Sequence, residues 1–372
     1  MNEQIHLSIA TATALSATSV RGGETKLGEG IRLLSTSDTS RLSEALSAAF
    51  AQGARYAILG VPEDIGPRAN LGRAGADKAF AAFLQFFVNM QANRFVDPGQ
   101  FLLVGQVDLA DLSEKEKQLA GADQVTAVSD LRELCAEIDE RVCAIVSLIA
   151  TAGLEPIVIG GGNNNSFPTI KGVVTALRQK ENAPDLKIAT VNCDPHADFR
   201  IIEGRHSGNP FSYADKEGLL GGYCVLGAHE NFNSEDMLAR LEQRSYPLFY
   251  FDDVVRQECT WEEQVERVLG YLASAGKTTG LELDLDGIKN MPSSARTPFG
   301  ISEEQAFYFI YRVASRLDTK YLHLSEAAPA YAEDGNRTVG KVLAKAVIEY
   351  ARARQKYRSA LAEAAGALSA NS

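Results

Sequence analysis

Asp194, His196 and Asp198 stand at every second position of Asp194-Pro195-His196-Ala197-Asp198, shortly after the apolar run Lys187-Ile188-Ala189-Thr190-Val191. Alternate side chains of an extended chain point the same way, so two carboxylates and an imidazole converge on one point. A second alternation, Asp284-Leu285-Asp286, closes the run Leu281-Glu282-Leu283. Carboxylate oxygens joined by one ring nitrogen suit a hard or borderline divalent cation, and such cations activate water for hydrolysis. Two further apolar runs end in polar groups. Ile157-Val158-Ile159 leads into Gly160-Gly161-Gly162-Asn163, and Leu322-His323-Leu324 into Ser325-Glu326. The glycine run lacks the Lys-Ser/Thr of a phosphate loop and the Gly-x-Gly-x-x-Gly of a dinucleotide fingerprint.

Such groups converge only if strand ends hold them. Apolar runs at 56–61, 101–107, 156–160, 187–193, 223–228, 247–251, 278–284 and 320–326 read as about eight strands. Helical periodicity is strongest over 126–152, where Leu131, Leu134, Ile138, Val142 and Ile145 recur at three- and four-residue spacing. Further helices are expected near 40–51, 77–90, 261–275 behind a Thr260 cap, 302–317, and 337–367. Short apolar strands alternating with helices predict an α/β fold of three layers, with a mostly parallel sheet between helical layers. Binding residues in such sheets collect at the carboxyl ends of strands, where all four polar segments fall. Residues 1–38, rich in Ser, Thr and Gly, read as an N-terminal extension, and 39–372 as one domain.

The formal net charge of −11 over 372 residues argues against nucleic acid or an anionic membrane as partner. No apolar stretch is long enough to span a bilayer, and the first residues lack the pattern of a secretory signal. Five scattered cysteines without a CxxC pair suit reduced thiols, so a cytoplasmic location is expected.

In order and spacing, the four segments resemble the ureohydrolase superfamily of arginase, agmatinase and formimidoylglutamase. The resemblance runs from about residue 56 to 330. Within it, the formimidoylglutamase branch fits best: Gly60-Val61-Pro62-Glu63-Asp64, Asn70-Leu71-Gly72-Arg73-Ala74-Gly75-Ala76 and Ser207-Gly208-Asn209-Pro210-Phe211 are similar to its segments. The resemblance implies an arginase-like fold, a homo-oligomer and two manganese ions. It implies Asp194, His196, Asp198, Asp284 and Asp286 as metal ligands. Asn163 stands where the family has a metal-binding His, and Glu282 where it usually has Ser. Three outcomes stay open at 163: two metals with one altered ligand, one metal, or none. Glu282 is expected either to reach the metal or to pair with a nearby Arg or Lys.

The expected activity is hydrolysis of a C–N bond in an amidine- or guanidine-bearing amino acid, foremost N-formimidoyl-L-glutamate. An arginase- or agmatinase-type hydrolase and a metal-poor, non-catalytic binding protein are the alternatives. Asp198 would orient the nucleophile, and Glu326 would hold the cationic amidine or guanidine. His206 is either a proton shuttle, one position from where arginases carry theirs, or a residue of the loop surface. Ser207, Asn209 and Arg200 are candidates for contact with substrate, with Arg205 and Arg296 as further partners for its carboxylate. His229 could line the pocket rim, His323 and Cys193 read as core, and His6 carries no signal.

Overall fold

Runs that are apolar at every position must be covered on both faces, and they are. The computed structural model describes residues 4–16, 21–119 and 124–370, with side chains as far as residue 366. Ten strands form one sheet: β1 (Leu7–Ile9), β2 (Arg32–Leu33), β3 (Tyr56–Gly60), β4 (Phe101–Val107), β5 (Glu155–Ile159), β6 (Ile188–Cys193), β7 (Leu220–Ala228), β8 (Leu248–Tyr250), β9 (Thr279–Asp284) and β10 (Thr319–Ser325). Their order is β1-β4-β3-β5-β10-β9-β6-β7-β8, with β2 also beside β4. The pairings are parallel except that of β1 with β4. The expected eight strands are all present. The two additional ones, β1 and β2, lie within the first 38 residues and are too short to show a period.

Consecutive residues of each strand divide between two cores. Ile157, Ile159, Val191, Leu281, Leu283, Leu322 and Leu324 pack with helices Ala79–Phe87, Trp261–Ala275, Glu303–Arg316 and Arg337–Ala370. Val158, Tyr223, Val225 and Tyr321 pack on the other side with helices Leu42–Ala51, Gln124–Thr151, Ser166–Glu181 and Glu235–Gln243. The result is three layers. Helix starts follow local chemistry. Thr260 Oγ1 accepts from the Glu263 N–H while the Glu263 carboxylate accepts from the Thr260 N–H, and Ser302 and Gln305 repeat this box.

The four central strands, in the order β5-β10-β9-β6, carry the four polar segments at their carboxyl ends. Chain order reverses direction across them, and open α/β sheets bind ligands at such a crevice.

Candidate metal centre and its cavity

Asp194 and Asp284 continue the polar faces of β6 and β9, while Cys193 turns to the opposite core as alternation requires. The chain beyond β6 is not a regular strand. Its turn is held by Asp194 Oδ1, which accepts from the His196 N–H at 2.7 Å, and the backbone of Asp198 is left-handed, with φ 44°. Asp284 Oδ1 likewise accepts from the Asp286 N–H at 2.9 Å. Glu326, with φ 61°, leaves β10 in the same conformation. Left-handed backbone at a non-glycine residue is costly and persists where the surroundings over-determine it. Behind Asn163, Glu63 fixes the glycine loop: its carboxylate accepts from the Gly162 N–H and Asn165 Nδ2, each at 2.7 Å, and from the Gly66 N–H at 2.9 Å. Gly161, at φ 71°, passes so close that a Cβ would lie 2.6 Å from Glu63 Oε1.

Two groups of potential ligands share one member. Asp194, His196 and Asp286 form one, and Asp194, Asp198 and Asp284 the other; within each, one ligand atom per residue lies within 4.8 Å of the others. His196 Nδ1 is 3.3 Å from Asp194 Oδ1 and 3.5 Å from Asp286 Oδ2, and its ring stacks on Phe232 at 5.3 Å. Asn163 adjoins the second group. Its Nδ2 donates to Asp198 Oδ2 at 2.6 Å and sits 3.3 Å from Asp194 Oδ2, while its N–H donates to Glu326 Oε1 at 2.9 Å.

The charges of this arrangement do not balance. Burial, reinforced by neighbouring carboxylates, pushes Asp198, Asp284 and Glu326 well above the usual carboxylate range. Asp286 is pushed up to about 7 by burial, against the opposing pull of His196. Burial disfavours the charged His196 ring, yet Asp286 and Asp194 outweigh it and raise its pKa to about 10. Asp286 Oδ1 is buried without a hydrogen-bond partner. A buried acceptor with no donor, among acids that repel one another, is the donor set a divalent cation satisfies. The residues present therefore fit a divalent cation, with Asp194 common to both groups.

Above the cluster is a cavity of about 170 Å³ lined by His196, Asp198, Asp284, Asp286 and Glu326, with Asn70, Arg200, Ser207, Phe232 and Ser294 around its wall. Of the residues expected to touch substrate, Arg200 and Ser207 thus reach it. The Arg200 guanidinium makes no hydrogen bond or ion pair among the described residues. Asn209 and Arg205 do not line it. Arg205 Nε is bonded to buried Asp139 at 2.6 Å, and Asn209 Oδ1 accepts from Arg205 Nη1 at 2.6 Å while its Nδ2 donates to the Gly204 carbonyl at 2.8 Å. Both are committed to holding their own loop. Arg296 is exposed and outside the cavity wall.

His206 also departs from expectation. It lies neither in the cavity nor on the loop surface: its ring is fully buried, Nδ1 accepts from the Gly208 N–H at 3.1 Å, and Nε2 is 2.9 Å from Asn209 Nδ2. No path for proton transfer to the cavity follows from that position. His229 is packed against Phe232, Phe251 and Phe299 beside the cavity wall. Glu282 pairs with neither Arg nor Lys and does not reach the ligand groups; its partner is His323, at 2.6 Å. Sequence reasoning passed over Asn192, whose Nδ2 donates to Asp194 Oδ2 at 2.7 Å. Its position two residues before Asp194 on a strand was a usable signal. Asn70 and Ser294 come from loops with no such periodicity.

Comparison with known proteins places this geometry in a family. Formimidoylglutamase of Geobacillus thermodenitrificans is 27% identical over 287 residues, which is 76% of this chain and 80% of that protein. The structure of formimidoylglutamase from Bacillus subtilis superposes with a TM-score of 0.69 at 16% identity, covering 91% of this chain and 95% of that one. Trypanosoma cruzi formiminoglutamase with Mn2+2 superposes with a TM-score of 0.66 at 22% identity, covering 89% and 99%. The same protein has also been solved with Mn2+2 as an asparagine-to-histidine variant. The arginase family model matches residues 54–351, four-fifths of the length, and the chain belongs to the arginase family.

Proposed function

We propose that this chain is a manganese-dependent hydrolase that cleaves N-formimidoyl-L-glutamate with water, giving L-glutamate and formamide. The observation that carries the reading is the pair of ligand groups joined through Asp194, placed beneath a cavity whose wall also holds Glu326 and Arg200. The curated relative and solved structures named above bear the corresponding activity in their names.

Asp194, His196, Asp198, Asp284 and Asp286, with Asn163 adjoining, would hold two divalent cations, which would supply Lewis acidity and a nucleophile from water near neutral pH. The chain does the rest. Asp198 lines the cavity and orients the attacking oxygen toward the planar amidine carbon. Glu326 holds the amidinium through charge-assisted hydrogen bonds, and is itself steadied by the Asn163 N–H at 2.9 Å. Arg200 and Ser207 receive the substrate's carboxylates, which need cationic and hydroxyl donors. Attack forms a C–O bond at the amidine carbon, and its collapse to formamide breaks the bond to the glutamate nitrogen, which takes up the hydroxyl proton and leaves as an amine. The five free cysteines suit a reducing cytoplasm, and the family resemblance supports a homo-oligomer.

The test is release of glutamate and formamide by protein loaded with Mn2+, run beside arginine, agmatine and guanidino acids. Turnover of formimidoylglutamate with little on the others is the expected result. No turnover of any amidine or guanidine, with Mn2+ demonstrably bound, would falsify the proposal.

A further inference from the structure

Asn163 and Glu282, the two departures from the family's pattern, are joined through one side chain. Ser166 Oγ lies 2.7 Å from Asn163 Oδ1 and 2.9 Å from Glu282 Oε2, and all three residues are buried. Glu282 is held in place on its other contacts: Tyr321 donates to Oε1 at 2.6 Å, and His323 Nδ1 meets Oε2 at 2.6 Å.

Proton counting limits the arrangement. A carboxylate only accepts, so the His323 nitrogen facing it carries N–H and has no lone pair for Ser166, 3.2 Å away. Ser166 has one proton, and two acceptors compete for it: the Asn163 amide oxygen and the Glu282 carboxylate. A carboxylate is the stronger acceptor, so the proton favours Glu282 although Asn163 Oδ1 is the nearer, at 2.7 against 2.9 Å. Ser166 then offers only lone pairs to Asn163, and the amide end that lone pairs satisfy is NH2. Ser325 Oγ, 3.2 Å from the same amide atom, can rotate to accept as well.

The other end of the amide then faces Asp194 and Asp198. In the structure nitrogen faces them, as two carboxylates without a cation demand a donor. A cation held by these carboxylates would reverse that demand, because it would repel NH2 and attract the amide oxygen. We propose that Glu282 is a positioning residue which, through Ser166, favours the Asn163 orientation that turns its amide oxygen to the cation. The residue at 282 thereby supports the residue at 163. This rests on the metal-hydrolase reading above.

The experiment is a Mn2+ titration by calorimetry, with stoichiometry from elemental analysis, on wild type, Glu282→Gln, Asn163→Ala and the double variant. Removing an outer-shell partner weakens metal affinity by roughly 10-fold or more, so Glu282→Gln should do this at one of the two sites only. In the Asn163→Ala background there is no amide to orient, and Glu282→Gln should then change nothing. Ser166→Ala, measured in both backgrounds, gives the same contrast if Glu282→Gln does not fold. Unaltered affinity in Glu282→Gln and Ser166→Ala, or equal weakening with and without the Asn163 amide, overturns the proposal. Failure of the wild type to take up Mn2+ at all overturns the metal reading itself, and is seen before any variant is compared.

Discussion

Two histidines ten residues apart occupy opposite settings. His196 faces Asp286 and Asp194 and, despite its burial, is pushed up to about 10. His206 is pushed down to about 3, first by burial and then by Arg132, Arg205 and Arg200. The regions around them differ in charge balance. In the loop over 200–209, Arg205 meets Asp139 at 2.6 Å, stacks between Phe167 and Tyr213, and donates to the Asn164 carbonyl at 2.9 Å. Its charge is closed by the chain. At the strand ends, four aspartates and Glu326 face one imidazole and one neutral amide. Buried charge that balances within the chain is architecture. Buried charge that does not balance marks a candidate cation site.

That contrast can be broken by exchanging one acid in each region. With Asp198 in its proposed role of orienting the nucleophile, Asp198→Asn should lower kcat by about 10²–10⁴. In the presence of chelator the same variant should melt at or above the wild-type temperature, because a repelling carboxylate has gone. Asp139→Ala should do the reverse. It leaves Arg205 buried without its counter-ion, at a cost of about 3–5 kcal/mol in urea unfolding. If chelated Asp198→Asn lost stability as Asp139→Ala does, the cluster would be architecture too.

The same contrast explains what could be read from the sequence. The strands at the site were legible because burial on both faces leaves unbroken apolar runs such as Ile157-Val158-Ile159. Asp194 and Asp284 were legible because strand alternation is rigid. The alternation expected to bring Asp194, His196 and Asp198 to one point, in contrast, stops at Cys193: a turn with Asp198 left-handed places His196 and Asp198 in different ligand groups. The loop was not legible. Arg205, His206 and Asn209 have the composition of a binding segment, and only their contacts with Asp139 and with one another show that they are spent on holding it. Nor could the fate of Glu282 be read, since its partners Ser166, Tyr321 and His323 come from two other segments of the chain. β1 and β2 were missed for a simpler reason: two or three residues cannot display a period.

Arg200 lies between the two regions, on the loop but facing the cavity, and its charge is not closed by the described residues. Arg200→Met should therefore behave as a loss of substrate binding and leave the fold intact. A hydrogen bond to a charged group contributes about 1.5–3 kcal/mol, so KM for formimidoylglutamate should rise roughly 10- to 100-fold with kcat little changed. An amidine lacking carboxylates should show no difference between the two proteins. A fall in kcat at constant KM would move Arg200 from binding to chemistry.

The smallest effect tests the closed region by pH. His206 has an ordinary pKa of 6.5 unfolded and is pushed down to about 3 in the fold. Between those values the unfolded chain binds a proton that the folded chain refuses. Stability from this residue is therefore complete above about pH 6.5 and is lost as pH falls toward 3, with a limiting slope of about 1.4 kcal/mol per pH unit. His206→Asn keeps an acceptor for the Gly208 N–H but cannot titrate. Its unfolding free energy, measured with chelator from pH 7 to 5, should fall less steeply than that of the wild type, with the curves converging at low pH. The carboxylate cluster is common to both proteins and cancels in the difference. Parallel curves would mean that His206 is as open to protons in the fold as outside it, and the loop would lose its standing as the closed half of the comparison.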